Sequence, residues 1–240
     1  MKKLLMRSKI FRTIKDYLRM QEETRNEILK GLVFNSTIVD SKWLKYKSFS
    51  PGAWAADFGL LYTLYRVLND VKPNNVLEFG LGQSSKMIHQ YGDYFKKKVL
   101  TCEHDEEWIR FFEEGKEGDY YVNIKQLELE NIIVNGIETL TYKNLMQEFG
   151  DEKYDLIIVD GPYGSDHYSR PQIIELAKLC LCDTFCIIMD DTERVGERET
   201  IQEVMKVLDD KGIRYCTRVY YSSKKHTLIC SDNLKFLTSL

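Results

Sequence analysis

From Val76 onward the apolar residues come in short continuous runs, rich in Val, Ile and Leu, that alternate with segments whose apolar side chains return every three to four positions. The runs at 76–79, 99–103, 121–129, 156–159 and 185–189 read as strands buried on both faces, and the segments at 84–91, 106–113, 142–149, 168–179 and 197–210 as helices. Two further strands, 215–221 and 226–230, are separated only by residues 222–225. A parallel crossover takes about a dozen residues or more, so these two must form an antiparallel hairpin. The pattern predicts an α/β fold: a Rossmann-like, mostly parallel sheet of seven strands ending in that hairpin, with helices on both faces.

Two helices are predicted ahead of the first strand. One spans 10–32, with Ile10, Phe11, Ile14 and Leu18 along one face. The other follows Ser50-Pro51-Gly52 and covers 53–68, where Trp54, Phe58, Leu61, Leu64, Tyr65 and Leu68 recur at helical spacing. The 240 residues suit one α/β domain at 49–240 plus a helical extension at 1–48. Composition alters this little: 43% hydrophobic and 30% charged residues are ordinary for a globular protein, and no apolar run approaches the roughly 20 residues that span a bilayer.

Charge alters it more. A formal net charge of −3 supplies no global field for a polyanion, so nucleic acid is not an expected partner. Within residues 1–20, however, Lys2, Lys3, Arg7, Lys9, Arg12, Lys15 and Arg19 stand against Asp16 alone. This basic amphipathic extension is expected to pack on the domain or on a second subunit, with docking on an anionic membrane surface as the alternative. The first 20 residues lack the apolar core and cleavage site of a secretory leader. The six cysteines lie mostly in apolar runs, which favours a reducing compartment. A cytoplasmic location is therefore expected, free or peripheral at the inner face of the membrane. Cys180, Cys182 and Cys186 lack the paired two-residue spacing of zinc sites.

Candidate chemistry gathers at the predicted strand ends. Val76-Leu77-Glu78-Phe79-Gly80-Leu81-Gly82-Gln83-Ser84-Ser85 is a buried strand, a glycine turn and a helix start at which Ser84 or Ser85 can cap. Ligands of open α/β sheets sit outside such turns. Ser85 stands where a dinucleotide fingerprint has its third glycine, so a cofactor without a pyrophosphate is favoured. Glu103 ends the second strand, 23 residues after Gly80, where a carboxylate can accept both hydroxyls of a ribose. Asp160 closes a fully buried strand, and Asp190 and Asp191 close the next. An unpaired charge there costs several kcal/mol, so these carboxylates need partners or a task. Close oxygen ligands of this kind suit Mg²⁺ or another divalent cation; the competing reading is that one caps a helix or pairs with Arg170 or Arg194. Between them, residues 162–170 form a polar loop. Tyr163 and Tyr168 can stack on sugar rings, Arg170 can bind a carboxylate or phosphate or pair with Asp160, and His167 is a base or merely solvated.

The turn at Glu78-Phe79-Gly80-Leu81-Gly82 resembles the first motif of class I S-adenosylmethionine-dependent methyltransferases, whose parallel sheet also ends in an antiparallel hairpin. The resemblance implies contacts from Glu78, Gly80, Gly82 and the neighbouring Ser84 to S-adenosylmethionine, with Glu103 on its ribose and Asp160 nearby. The three aspartates resemble the metal site of cation-dependent catechol-type O-methyltransferases, although Asp191 replaces that family's asparagine. Over about 51–231, Asp160-Gly161-Pro162, Arg170 and Asp191-Thr192-Glu193-Arg194 look like the family of glucuronoxylan 4-O-methyltransferases and bacterial polysaccharide-biosynthesis methyltransferases. That likeness implies O-methylation of a carbohydrate or other hydroxyl-bearing acceptor, with Asp160, His167 and Asp191 as catalytic candidates and Tyr163, Tyr168, Arg170 and Arg194 toward the acceptor. Residues 50–54 are expected either to close over the cofactor or to leave Trp54 in the core. A NAD- or nucleotide-sugar-binding protein and a non-catalytic scaffold are the rival readings.

Overall fold

The computed structural model describes residues 2–52 and 55–240, and of residues 2–10 the backbone alone. The chain opens with a long helix, α1 (Lys2–Ile38), followed by α2 (Phe58–Arg66). Alternating units follow: β1 (Asn75–Phe79), α3 (Gln83–Phe95), β2 (Lys98–Glu103), α4 (Glu106–Glu114) and β3 (Ile124–Gln126). A short hairpin, β4 (Leu129–Val134) and β5 (Ile137–Tyr142), precedes α5 (Leu145–Phe149) and β6 (Tyr154–Val159). The rest comprises α6 (Gln172–Leu179), β7 (Leu181–Met189), α7 (Val195–Asp210), β8 (Tyr215–Tyr221) and β9 (Lys225–Ser231).

Seven strands form one sheet in the order β3-β2-β1-β6-β7-β9-β8, and β9 alone runs antiparallel. The chain builds outward from β1 to β3 and then returns to the other side of β1 with β6. The crevice beyond the carboxyl ends of β1 and β6 is thus the topological switch point. Within β6, Leu156 and Ile158 pack into a core with α1, α2 and α3, whereas Ile157 and Val159 pack into a second core with α6 and α7. Burial on both faces is why these strands read as unbroken apolar runs.

Several expected boundaries move. The helix expected at 53–68 starts at Phe58 because Asp57 caps it, its Oδ1 accepting the Leu60 N–H at 2.9 Å. It ends in a π turn at Val67–Val71. Trp54 lies outside the described residues. The strand expected at 121–129 divides, β3 joining the sheet and β4 pairing with β5 across Asn135-Gly136, both in the left-handed region. An Asn-Gly turn is a strong hairpin signal, and β5 takes Tyr142 from the helix expected at 142–149. The helix expected at 168–179 begins only at Gln172, because Arg170 precedes Pro171 and is held at φ 57°.

The N-terminal extension enters the core near its end, where Phe34, Ile38, Trp43 and Leu44 are buried with α2 and α3. Earlier on α1, Phe11, Ile14 and Leu18 are exposed. Among the described residues no helix is long and apolar enough to cross a membrane. All six cysteines are free thiols.

Candidate functional site

A cavity of about 300 Å³ opens at the switch point, walled by the glycine turn, Glu103, His104, Trp108, Asp160 and residues 161–164, with Arg170, Asp191, Arg194 and Lys224 at its far side. The turn is fixed by backbone packing. Gly80 has φ 95°, and a Cβ there would come within 2.7 Å of the Asp160 carbonyl. Gly82 is extended, and a Cβ there would meet nothing within 4 Å. It borders the cavity as open space.

Of the residues expected to touch a cofactor, Gly80, Gly82, Glu103 and Asp160 line the cavity, and Glu78 and Ser84 do not. Glu78 is fully buried beneath the turn, where its Oε2 accepts the hydroxyls of Ser85 at 2.6 Å and Thr101 at 2.7 Å. Burial pushes its carboxyl up to about 7, against the lowering effect of these serine and threonine hydroxyls. Ser85 in turn accepts the Gly82 N–H at 2.8 Å, while Gly82 itself offers no side chain to cap the first turn of α3. The inward direction of Glu78 follows the pleat: it shares a face of β1 with Val76, opposite Leu77 and Phe79.

Glu103 is bound by three backbone amides: Leu81 N–H to Oε2 at 3.0 Å, and His104 and Asp105 N–H to Oε1 at 2.6 and 3.0 Å. A carboxylate offers about four lone-pair positions, so a grip on both ribose hydroxyls competes with one of these amides. The Trp108 indole N–H donates to the Leu81 carbonyl at 2.7 Å, a tie to the glycine turn that residue spacing does not reveal. His104 and Tyr163 meet edge to face across the mouth, with centroids 5.3 Å apart.

The polar loop departs from expectation at two positions. His167 turns away from the cavity to Glu199 on α7, its Nδ1 3.0 Å from Oε1, and so is removed from the wall where a base is needed. Tyr168 also leaves the wall, its N–H donating to Glu199 at 3.1 Å and its carbonyl accepting the Thr139 hydroxyl at 3.0 Å. Both follow from the turn that places Tyr168 at φ 45° and Arg170 at φ 57°. Tyr163 is exposed at the mouth and Arg194 is half-exposed. Arg170, expected toward the acceptor, is buried with its donors engaged: Nε to the Pro162 carbonyl at 3.2 Å, one terminal nitrogen to the Asp190 carbonyl at 3.2 Å, and the other to Asp191 at 2.8 Å. It lies 3.5 Å from Asp160, the ion pair weighed against an acceptor role.

The three aspartates do converge, with one oxygen of each within 4.8 Å of the others. Cations already hold them. Lys224 Nζ is 2.7 Å from Asp190 Oδ2 and 3.4 Å from Asp191 Oδ1, and Arg194 is 3.1 Å from Asp191. Burial opposes charge on Lys224, but Asp190, Asp160 and Asp191 outweigh it and hold the ammonium above the usual lysine range. Burial likewise opposes charge on Asp191, yet Arg170, Lys224 and Arg194 keep it below the usual carboxylate range. Asp160, Asp190, Asp191 and Glu197 face Arg170, Arg194 and Lys224, which leaves one carboxylate in excess. Burial and the nearby Asp160 carboxylate raise Asp190, against the Lys224 ammonium. A resident divalent ion does not fit here, because an ammonium and two guanidinium groups already stand against these carboxylates and would repel it.

Fold and site together define a Rossmann-like α/β protein with a cofactor-sized cavity at its switch point, in the seven-stranded arrangement with an antiparallel hairpin edge expected of class I methyltransferases. No protein-family model matches the chain, and no curated protein matches it. Among solved structures it is similar to a methyltransferase from Pyrococcus furiosus, at 16% identity over 86% of this chain and 98% of that one, with a TM-score of 0.44. A Staphylococcus aureus protein provisionally assigned as a caffeoyl-CoA O-methyltransferase shares 16% identity over 92% and 100%, with a TM-score of 0.43. A ribosomal protein methylase from Lactobacillus delbrueckii subsp. bulgaricus shares 14% over 71% and 77%, with a TM-score of 0.42. At such values these likenesses assign neither a reaction nor a substrate.

Proposed function

We propose that the protein is an S-adenosylmethionine-dependent O-methyltransferase whose acceptor is a hydroxyl of a carbohydrate or a glycan precursor. The observation that carries this reading is the cavity at the switch point, where the glycine turn meets the carboxylates of Glu103 and Asp160. A pyrophosphate would set further negative charge against these carboxylates. A sulfonium nucleoside, which carries positive charge on sulfur and on its amino group, suits the acidic wall instead.

The donor brings an activated methyl group, so the chain's own residues align the two substrates and take up a proton. Asp160 is the group for that proton: burial raises its carboxyl against Arg170 and Lys224, and it lies on the cavity wall. As the methyl passes from sulfur to the acceptor oxygen, the hydroxyl proton moves to Asp160. Tyr163 offers an aromatic face at the mouth, and Arg194 can pair with an acidic sugar. The sugar class rests on the motif resemblance together with these two residues.

The test is incubation with methyl-labelled S-adenosylmethionine and a panel of acidic glycans, neutral glycans and catechols. Label in a glycan as an alkali-stable ether is expected. Asp160→Asn should lower turnover by about a hundredfold or more and also weaken donor binding, since it removes one of the two carboxylates of the acidic wall. Label in catechols alone would replace the sugar acceptor with a small aromatic one.

A further inference from the structure

Lys224 belongs to none of the motifs read from the sequence, yet it sits at the centre of the acidic cluster. It comes from the tip of the β8–β9 hairpin. Because β8 runs parallel to β1 and β6, that tip arrives at the carboxyl edge of the sheet, over the ends of β6 and β7. The tip is clamped from below. Asp57 Oδ2 accepts the Lys224 N–H at 2.9 Å and the Ser223 hydroxyl at 3.2 Å, and Glu27 on α1 accepts the Ser222 hydroxyl and the Ser223 N–H. The ammonium is therefore delivered to a fixed place. It lies 2.7 Å from Asp190 Oδ2 and 3.4 Å from Asp191 Oδ1, on two of the three carboxylates whose oxygens converge, while Asp190 Oδ1 and Asp191 Oδ1 are buried without a hydrogen-bond partner.

We infer that Lys224 is a built-in counter-cation that replaces a divalent metal among Asp160, Asp190 and Asp191, and that removing its charge turns the cluster into a divalent-cation site. A divalent ion among these carboxylates would stand within a few ångströms of the ammonium, and their mutual repulsion opposes binding while Lys224 keeps its charge. With Lys224 in place the aspartates are held in position and partly neutralised, and the chain is independent of added metal. The inference deepens the methyl-transfer reading by making its charge-neutralising group a side chain. Lys224 acts as a positioning residue for Asp190 and Asp191.

The experiment is a titration of the whole purified chain with Mn²⁺, followed by electron paramagnetic resonance and by calorimetry, for wild type, Lys224→Ala and Lys224→Ala/Asp190→Asn. Wild type is expected to show no saturable one-to-one binding. Lys224→Ala should bind one Mn²⁺ at least about tenfold more tightly than wild type, because a repelling charge has gone. The added Asp190→Asn should abolish that gain. Lys224→Gln, one atom shorter but with an uncharged donor directed toward Asp190, stands in if the alanine variant does not fold. Stoichiometric Mn²⁺ binding by wild type that Asp190→Asn removes would overturn the inference. So would the absence of any gain in both neutral variants. Affinity for S-adenosylhomocysteine, measured on the same samples, reports the methyl-transfer reading separately: its absence sinks that reading and leaves the cation result standing.

Discussion

Gly80 and Gly82 are two positions apart and are constrained in opposite ways. Gly80 needs glycine for a left-handed φ and for backbone contact with Asp160, so Gly80→Ala should destabilise the fold by about 2–4 kcal/mol in urea denaturation. Gly82 is extended with open space where a Cβ would go. Gly82→Ala should leave the urea midpoint nearly unchanged and weaken S-adenosylhomocysteine binding about tenfold or more, since the methyl enters space a ligand would fill. Equal loss of stability in both variants would contradict this division. The glycines, Glu103 and the three aspartates were legible because strand ends carry polar residues only for a reason. The directions of Glu78 and His167 were not, because each is set by a partner far along the chain, Thr101 for one and Glu199 for the other.

At the scale of elements, periodicity located every strand of the main sheet: burial on both faces leaves an unbroken apolar run in β1 and β6, whereas the edge strands β3 and β8 are exposed or half-buried at nearly every position. It missed the β4–β5 hairpin. That pair has one apolar residue in two and few buried positions, and its Asn135-Gly136 turn was its clearest sign. It also missed Lys224, although a hairpin whose first strand is parallel to the sheet must turn at the carboxyl edge. The clamp on that turn is testable in its own right. Glu27 on α1 accepts the Phe58 N–H at 2.9 Å as well as groups of the hairpin tip. Glu27→Ala should lower stability by about 1–3 kcal/mol, because partly buried donors lose their acceptor, whereas Glu27→Gln should cost less. An unchanged urea midpoint in Glu27→Ala would show that α1 does not hold the tip.

Taken as a whole, the molecule keeps two fully buried histidines neutral. His226 meets the Thr63 hydroxyl at 2.9 Å and His89 meets Thr101 at 2.9 Å, and burial, aided by Lys30 beside the first and Lys116 beside the second, lowers each to about 3. A histidine freed by unfolding takes a proton near pH 6.5, which the native state refuses. The stability this represents is present above pH 6.5 and is lost as the pH falls toward 3. Relative to His226→Gln, wild type should therefore lose about 2 kcal/mol between pH 6.5 and pH 5, read from urea midpoints at each pH. A constant difference would mean that His226 protonates freely in the folded protein. The most direct measurement of the central claim is a calorimetric titration of the purified chain with S-adenosylhomocysteine, beside Glu103→Ala. One-to-one binding by wild type, weakened at least about tenfold by the substitution, is the predicted result. A folded wild-type protein with no affinity for that nucleoside, or one whose affinity ignores the loss of Glu103, would contradict it.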